Sequence, residues 1–309
     1  MYRRILPIWP LLLALSTTGC LFHSRKVENH ISSATLKTAT QQQLVELVNH
    51  EAAQIKTMNA TVDIRAAVGG QKKGKVTEYT EIRGYILAEK PAMLRMIGLF
   101  PVVRNRAFDM VSDGANFKLW IPPKNKFIVG RNDVIKPNPA QPLENLRPQH
   151  IYDALLLHEI DPQNEIAVLE GASENVTDPK THKPAEQANY ILNVIHRDSD
   201  DTWYLARKIY FDRVNLTPYR EVVYDKQGNT ATVADYSNLQ DYSGIRFPSH
   251  IEISRPQEEY NIGLNIVSLK LNQPLKPDQF ELQQPAGAQI VHLTNGNGGQ
   301  APTSTTSEK

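Results

Sequence analysis

From Asn59 to Leu271 the chain is written in short runs of alternating apolar and polar residues cut by turn residues, a pattern of period two that commits most of it to strands. Candidate strands cover about 59–68, 75–88, 92–98, 105–112, 116–121 and 126–130, then 165–170, 187–197, 203–214, 220–225, 230–237, 246–255 and 260–271. In the fifth of these, Phe117, Leu119 and Ile121 alternate with Asn116, Lys118 and Trp120, so one face is apolar and the other mixed. Gly69-Gly70, Gly74, Gln227-Gly228-Asn229 and Ser243-Gly244 supply the turns. A sheet of about a dozen strands must curl, split or close on itself.

Two segments follow helical spacing instead. Thr40 and Gln43 form a capping-box pair, after which Leu44, Leu47, Val48, Ala52, Ile55 and Met58 recur at helical intervals, predicting a helix over about 41–58. Pro137, Pro139 and Pro142 interrupt the strands, and Arg147-Pro148 opens a second helical stretch with Ile151, Ala154, Leu155 and His158. The polar stretch 172–183 reads as a loop, and 288–309, rich in Asn, Gly, Ser and Thr, as a disordered tail. No break in composition divides the remainder. The expectation is one α+β domain over 40–287, a strongly curved antiparallel sheet, or incomplete β-barrel, covered by two or three helices, with an apolar interior that they do not completely fill.

The N-terminus carries a second kind of information. Arg3 and Arg4 precede an apolar segment, Ile5 to Leu15, and Thr17-Thr18-Gly19 lead into Cys20, the only cysteine. That segment is too short for a spanning helix, which takes about 20 apolar residues, and Pro7 and Pro10 weaken it further. The pattern resembles a lipobox, with Thr17 where Leu is usual; it implies a signal peptide over 1–19, lipidation of Cys20 and a flexible spacer over 20–39. An ordinary signal peptide followed by a free thiol is the alternative. Leu21 follows the cysteine, where the inner-membrane retention signal of such lipoproteins has Asp, so the resemblance implies an anchor in the periplasmic face of the outer membrane. With Cys20 acylated no intramolecular disulfide is possible, and the fold rests on its core.

Cleavage before Cys20 removes Arg3 and Arg4 and no acidic residue, leaving 32 basic against 33 acidic side chains. Near-neutral charge, with no basic stripe, argues against a nucleic-acid partner. Enzyme signatures are equally sparse: His158-Glu159 lacks a second histidine at zinc-helix spacing, and neither a Gly-x-Ser-x-Gly elbow nor a phosphate-binding glycine loop occurs. Asp198, Asp200 and Asp201 read as a solvated hairpin tip, with loose calcium binding as the alternative. Neither a cofactor nor a metal site is expected.

Leu94 to Phe108 stands out. Leu94, Met96, Ile97, Leu99, Phe100, Val102 and Val103 crowd together, Gly98 and Pro101 interrupt the strand pattern, and Arg104 and Arg106 follow. Such a stretch is either a core strand ending in a buried turn or an apolar loop exposed for contact with acyl chains and anionic headgroups.

Lys90-Pro91-Ala92-Met93-Leu94-Arg95, Val111-Ser112-Asp113-Gly114, Leu119-Trp120-Ile121-Pro122, Phe247-Pro248-Ser249-His250-Ile251 and Phe280-Glu281-Leu282-Gln283-Gln284-Pro285-Ala286-Gly287 resemble, in order and spacing, motifs of the LolA/LolB-like lipoprotein-localisation family. The resemblance implies a half-barrel closed by helices around a cavity for acyl chains, and no enzymatic activity. It also implies a lipid-anchored receptor type that takes acyl chains or lipoproteins, with a periplasmic carrier protein as partner, and assists their transfer into the outer membrane. On this reading Leu94, Met96, Leu99, Phe100, Phe108, Met110, Phe117 and Leu119 line the cavity or its projecting loop. A half-barrel filled by its own side chains, acting as an envelope scaffold, is the alternative.

Overall fold

The computed structural model describes residues 31–72, 74–133 and 147–293. The predicted signal peptide, Cys20 and the first part of the predicted spacer lie outside the described residues.

Helix α1 (Gln41–Gln54) is followed by β1 (Thr57–Gly70), β2 (Lys75–Glu89), β3 (Met93–Leu99), β4 (Arg106–Ser112), β5 (Asn116–Ile121) and β6 (Lys126–Arg131). Helix α2 (Pro148–Leu155) then precedes β7 (Glu165–Thr177), β8 (Pro184–Arg197), β9 (Trp203–Asp212), β10 (Thr217–Tyr224), β11 (Thr230–Tyr242), β12 (Ile245–Arg255), β13 (Tyr260–Leu271) and β14 (Gln289–Leu293). The strands form one large, open, curved sheet in the order β14-β6-β5-β4-β3-β2-β1-β13-β12-β11-β10-β9-β8-β7. Pairing is antiparallel from β6 round to β8, whereas β14 adds to β6 in parallel. Register shifts flank the middle of β1, at Thr61/Val62 against β13 and at Ile64/Ala66 against β2. Such bulges increase local twist and bend the sheet.

Alternation sets the inner face. On β1, Met58, Ala60, Val62 and Ile64 are buried while Asn59 and Arg65 face outward. These inward residues join Ile86, Met96, Met110, Leu119, Ile251 and Leu264 from other strands in one core beneath Ile151, Tyr152, Ala154 and Leu155 of α2. Helix α1 carries the predicted capping box in full: the Gln43 N–H donates to Thr40 Oγ1 (3.2 Å) and the Thr40 N–H to Gln43 Oε1 (2.9 Å). It packs Leu44 and Val48 against Leu192, Val194, Ile209 and Phe211 in a second core.

Four boundaries differ from the sequence reading. Helix α1 ends at Gln54 rather than at 58, because its last carbonyls are taken by neighbours: Asn272 Nδ2 donates to the Gln54 carbonyl (2.8 Å) and Lys90 Nζ to that of Ala52 (2.5 Å). Strand β7 runs on to Thr177, into the first half of the predicted loop 172–183. The predicted tail opens with β14, and Phe280, Leu282 and Ala288 before it are buried, the latter two packing against Val111 and Phe127. The described end of the predicted spacer is hydrogen-bonded, as at Lys37, whose N–H donates to the Arg213 carbonyl (2.8 Å).

The described residues divide into two compact parts, one of residues 31–34 with Asn175–Gln187, the other made of the described residues of Thr35–Glu174 and those from Ala188 to Leu293. In the smaller part Ile31 bridges Glu186 in parallel, and Asp178 organises a turn by accepting the backbone N–H groups of Ser33, Lys180 and Thr181. Those bonds, led by that of Ser33, hold the Asp178 carboxyl well below the usual range.

Candidate functional site

An apolar cavity of about 480 Å³ opens on the inner face between α2 and the strands β1 to β5 and β13. Its size falls within the ~300–1,000 Å³ usual for small-molecule sites. Of the eight residues singled out from the sequence, Met96, Phe100, Phe108, Met110 and Leu119 line it. Met96, Met110 and Leu119 reach it from successive strands because alternation turns them inward at matching register: Met96 stands opposite Met110, and Met110 opposite Leu119. Phe108 stands opposite Gly98, where a Cβ would lie only 2.4 Å from Phe108 Cε1, so the glycine makes room for the ring.

Leu94 and Phe117 are buried on the same face but pack in the core rather than on the cavity wall. Leu99 is the last residue of β3, not part of a loop, and lies half-buried over a separate hollow beside Arg83 and Tyr85. The sequence reading did not single out the rest of the wall, notably Ile64, Val68 and Ile82 together with Ile151, Tyr260 and Ile262. The strand alternation that places Ile64, Val68 and Ile262 inward was legible; that α2 would lie across them was not.

At the mouth the chain turns between β3 and β4. The turn is closed by the Arg104 N–H donating to the Phe100 carbonyl (3.1 Å) and the Phe100 N–H donating to that of Asn105 (2.9 Å). Phe100 and Pro101 border the cavity, while Val102 is 97% and Val103 64% exposed. Val102 has φ 67°, a left-handed conformation in which a β-branched residue is an outlier. Two valines presented to solvent, one of them in a costly conformation, beside Arg104 and Arg106, make an apolar tip with a cationic base.

A second cavity, of about 340 Å³, lies on the other side of α2, against β10 to β12. Charged and polar side chains are prominent in its lining, with Arg147, His150 and Asp153 from α2 and its N-cap facing Glu221, Thr232 and Arg255 from the sheet.

Among the described residues no group of three or more His, Cys, Asp or Glu side chains is placed to hold a metal ion, and no helix is long and apolar enough to cross a membrane. At the 198–201 tip Asp198 pairs with Lys226, Asp201 with Arg197, and Asp200 accepts the Thr202 N–H (3.0 Å). These are the bonds of a hairpin tip.

A protein-family model described as "-like: Uncharacterized protein" matches residues 173–284. No curated protein matches the chain. Among solved structures the chain is similar to a LolA superfamily protein from Nitrosomonas europaea, at 15% identity over 79% of this chain and 99% of that one, with a TM-score of 0.49. It is also similar to a DUF1329 family protein from Desulfovibrio piger (14% identity, 79% and 98% coverage, TM-score 0.49). A third likeness is to a putative outer membrane lipoprotein-sorting protein domain from Vibrio parahaemolyticus (12% identity, 78% and 97% coverage, TM-score 0.47).

Proposed function

We propose that this chain is a lipid-anchored carrier or receptor of acyl chains, working without enzymatic chemistry at the periplasmic face of the outer membrane. The observation that carries the reading is the apolar cavity of about 480 Å³ with an exposed apolar turn at its mouth. Burying an acyl chain in such a space is favourable by about 25 cal/mol per Å² of apolar surface. The Phe100–Arg104 turn is the surface that meets a bilayer or a lipidated cargo, and Cys20 is the anchor that keeps it there. Met96, Phe108, Met110 and Leu119 form the acyl-binding wall, while Leu94 and Phe117 support it from the core. The lipidated N-termini of lipoproteins are the cargo class, delivered by a periplasmic carrier.

Titration of delipidated protein with a fluorescent fatty acid tests this directly. Saturable binding is expected, and Ala66→Phe, which puts a ring into the cavity from β1, is expected to abolish it while the protein stays folded. Absence of saturable binding by the native protein would favour the filled, scaffold-like interior. In parallel, Cys20→Ser is expected to release the protein from the membrane fraction; its retention there after a salt wash would place the anchor elsewhere.

A further inference from the structure

The polar cavity behind α2 has no part in holding an acyl chain, and its lining is unusual. Several of its charged groups are already hydrogen-bonded. Arg255 donates to both carboxylate oxygens of Glu258 (2.7 and 3.1 Å) and to Thr232 Oγ1 (2.7 Å). Asp225 accepts from Gln257 Nε2 (2.9 Å) and from the Asn229 N–H (2.8 Å). Asp153 accepts from Gln149 (2.7 Å) and is bonded to His158 (2.9 Å). A phosphate would have to displace Glu258 from Arg255, and the wall offers it three other carboxylates besides: Asp133, Asp153 and Asp225.

Among the described lining residues two buried oxygens remain without a hydrogen bond. Asn132 spends its amide N–H groups on Ser112 Oγ and the Gly114 carbonyl (both 2.9 Å), leaving its buried Oδ1 without a hydrogen bond. Glu221 is 3% exposed; its Oε2 accepts from the Tyr236 hydroxyl (3.5 Å) but its Oε1 makes no hydrogen bond, with Arg207 Nη1 3.8 Å away, and burial pushes its carboxyl up against the opposing charge of Arg207. His150, on the α2 side, is pulled down to about 3 by burial and by Arg255 and Arg147, so its imidazole is neutral. Buried polar groups left unpaired are costly. An amide oxygen, a buried carboxyl oxygen and a neutral imidazole around one cavity are matched by hydroxyl groups, each of which both donates and accepts.

We propose that this cavity is a second binding site, for an uncharged, hydroxyl-rich group such as a glyceryl or sugar moiety, carried either on a lipid or on a free polyol. Where the group belongs to a lipid, the inference rests on the acyl-carrier reading; where it is free, it does not.

Three probes separate these cases by calorimetric titration: methyl β-glucoside (head alone), octyl β-glucoside below its micelle concentration (head and chain) and octan-1-ol (chain alone). Octyl glucoside is expected to bind at least about tenfold more tightly than octanol, a difference of about 1.4 kcal/mol. Asn132→Leu is expected to erase that preference while leaving octanol affinity unchanged. Because Asn132 also ties Ser112 to Gly114, Ala231→Phe, which occupies the cavity and removes no hydrogen bond, serves as a second variant. Binding of methyl glucoside alone, lost in Ala231→Phe, supports the site with a free polyol and overturns the acyl reading. Equal affinity for octyl glucoside and octanol, or a preference that survives both variants, overturns the site and leaves the acyl cavity standing.

Discussion

Arg255 and Tyr260 stand opposite one another on β12 and β13, and the boundary between the two cavities runs between them: Arg255 faces the polar cavity and Tyr260 the apolar one. The Tyr260 hydroxyl is buried and pushed up to about 12, mainly by burial, so it stays neutral at the edge of an apolar space.

The tip at the cavity mouth gives the sharpest separation of stability from function. A left-handed conformation costs a non-glycine residue about 1–2 kcal/mol, more than the roughly 0.5–1 kcal/mol that glycine loses in entropy. Val102→Gly is therefore expected to stabilise the fold by about 0.5 kcal/mol while weakening association with anionic vesicles. Phe100→Glu/Val102→Glu should remove that association with little change in thermal unfolding. A collapsed melting temperature in the double variant would show that the turn is core.

Cavity wall and core should part company under truncation. Phe117→Ala and Leu94→Ala are expected to cost about 2–5 kcal/mol, as large-to-small changes at fully buried sites do, and to leave acyl affinity nearly unchanged in the folded fraction. Phe108→Ala, at a half-buried lining position, should destabilise less and weaken acyl binding more. The opposite pattern in denaturant melts and probe titrations would mean that the cavity lies elsewhere.

On the outer face, Arg95 donates to both oxygens of the fully buried Asp109 (2.8 and 3.1 Å) and to the Gln279 carbonyl (2.9 Å), with Arg106 3.1 Å from the same carboxylate. Asp109→Ala leaves one guanidinium largely buried without its anion, and such breaks cost about 3 kcal/mol. Faster amide exchange around Pro277–Phe280 is the expected signature, since Arg95 also holds that segment.

Glu51 on α1 supplies a pH dependence. Burial pushes its carboxyl up to about 7, opposed by Arg246. Between its ordinary value near 4.5 and about 7 the folded chain holds a proton that the unfolded chain has released, so Glu51 makes stability fall as pH rises through that window, then level off. Glu51→Gln should remove the slope and stabilise the protein at pH 8 by up to about 2 kcal/mol. Parallel stability–pH curves for both proteins would contradict the assignment.

Residue pattern predicted most of the sheet because alternation is visible wherever one face is buried. It failed where that condition fails. Strand β7 buries only Ala167 among its residues, so Glu170 to Thr177 carry no apolar stripe to announce a strand. Ile55 and Met58 satisfy helical spacing, yet Asn272 and Lys90, distant in sequence, end the helix and release Met58 to β1. In the site, Leu94 and Phe117 share their period with Met96 and Leu119; only the placement of α2 decides which of them border empty space. The polar cavity left no local signal, its groups being drawn from five separated stretches of chain.

The parallel pairing of β14 with β6 has a consequence for the order of events during synthesis. Strand β6 is complete at Arg131, but the strand that covers its edge begins at Gln289, so nearly all the intervening chain must emerge first. Throughout that interval Phe127, Ile128 and Val129 present an uncovered apolar sheet edge, the kind of surface on which chains aggregate. Strand β14 thus acts as a seal, and a nascent chain arrested short of it is the species most in need of an escort.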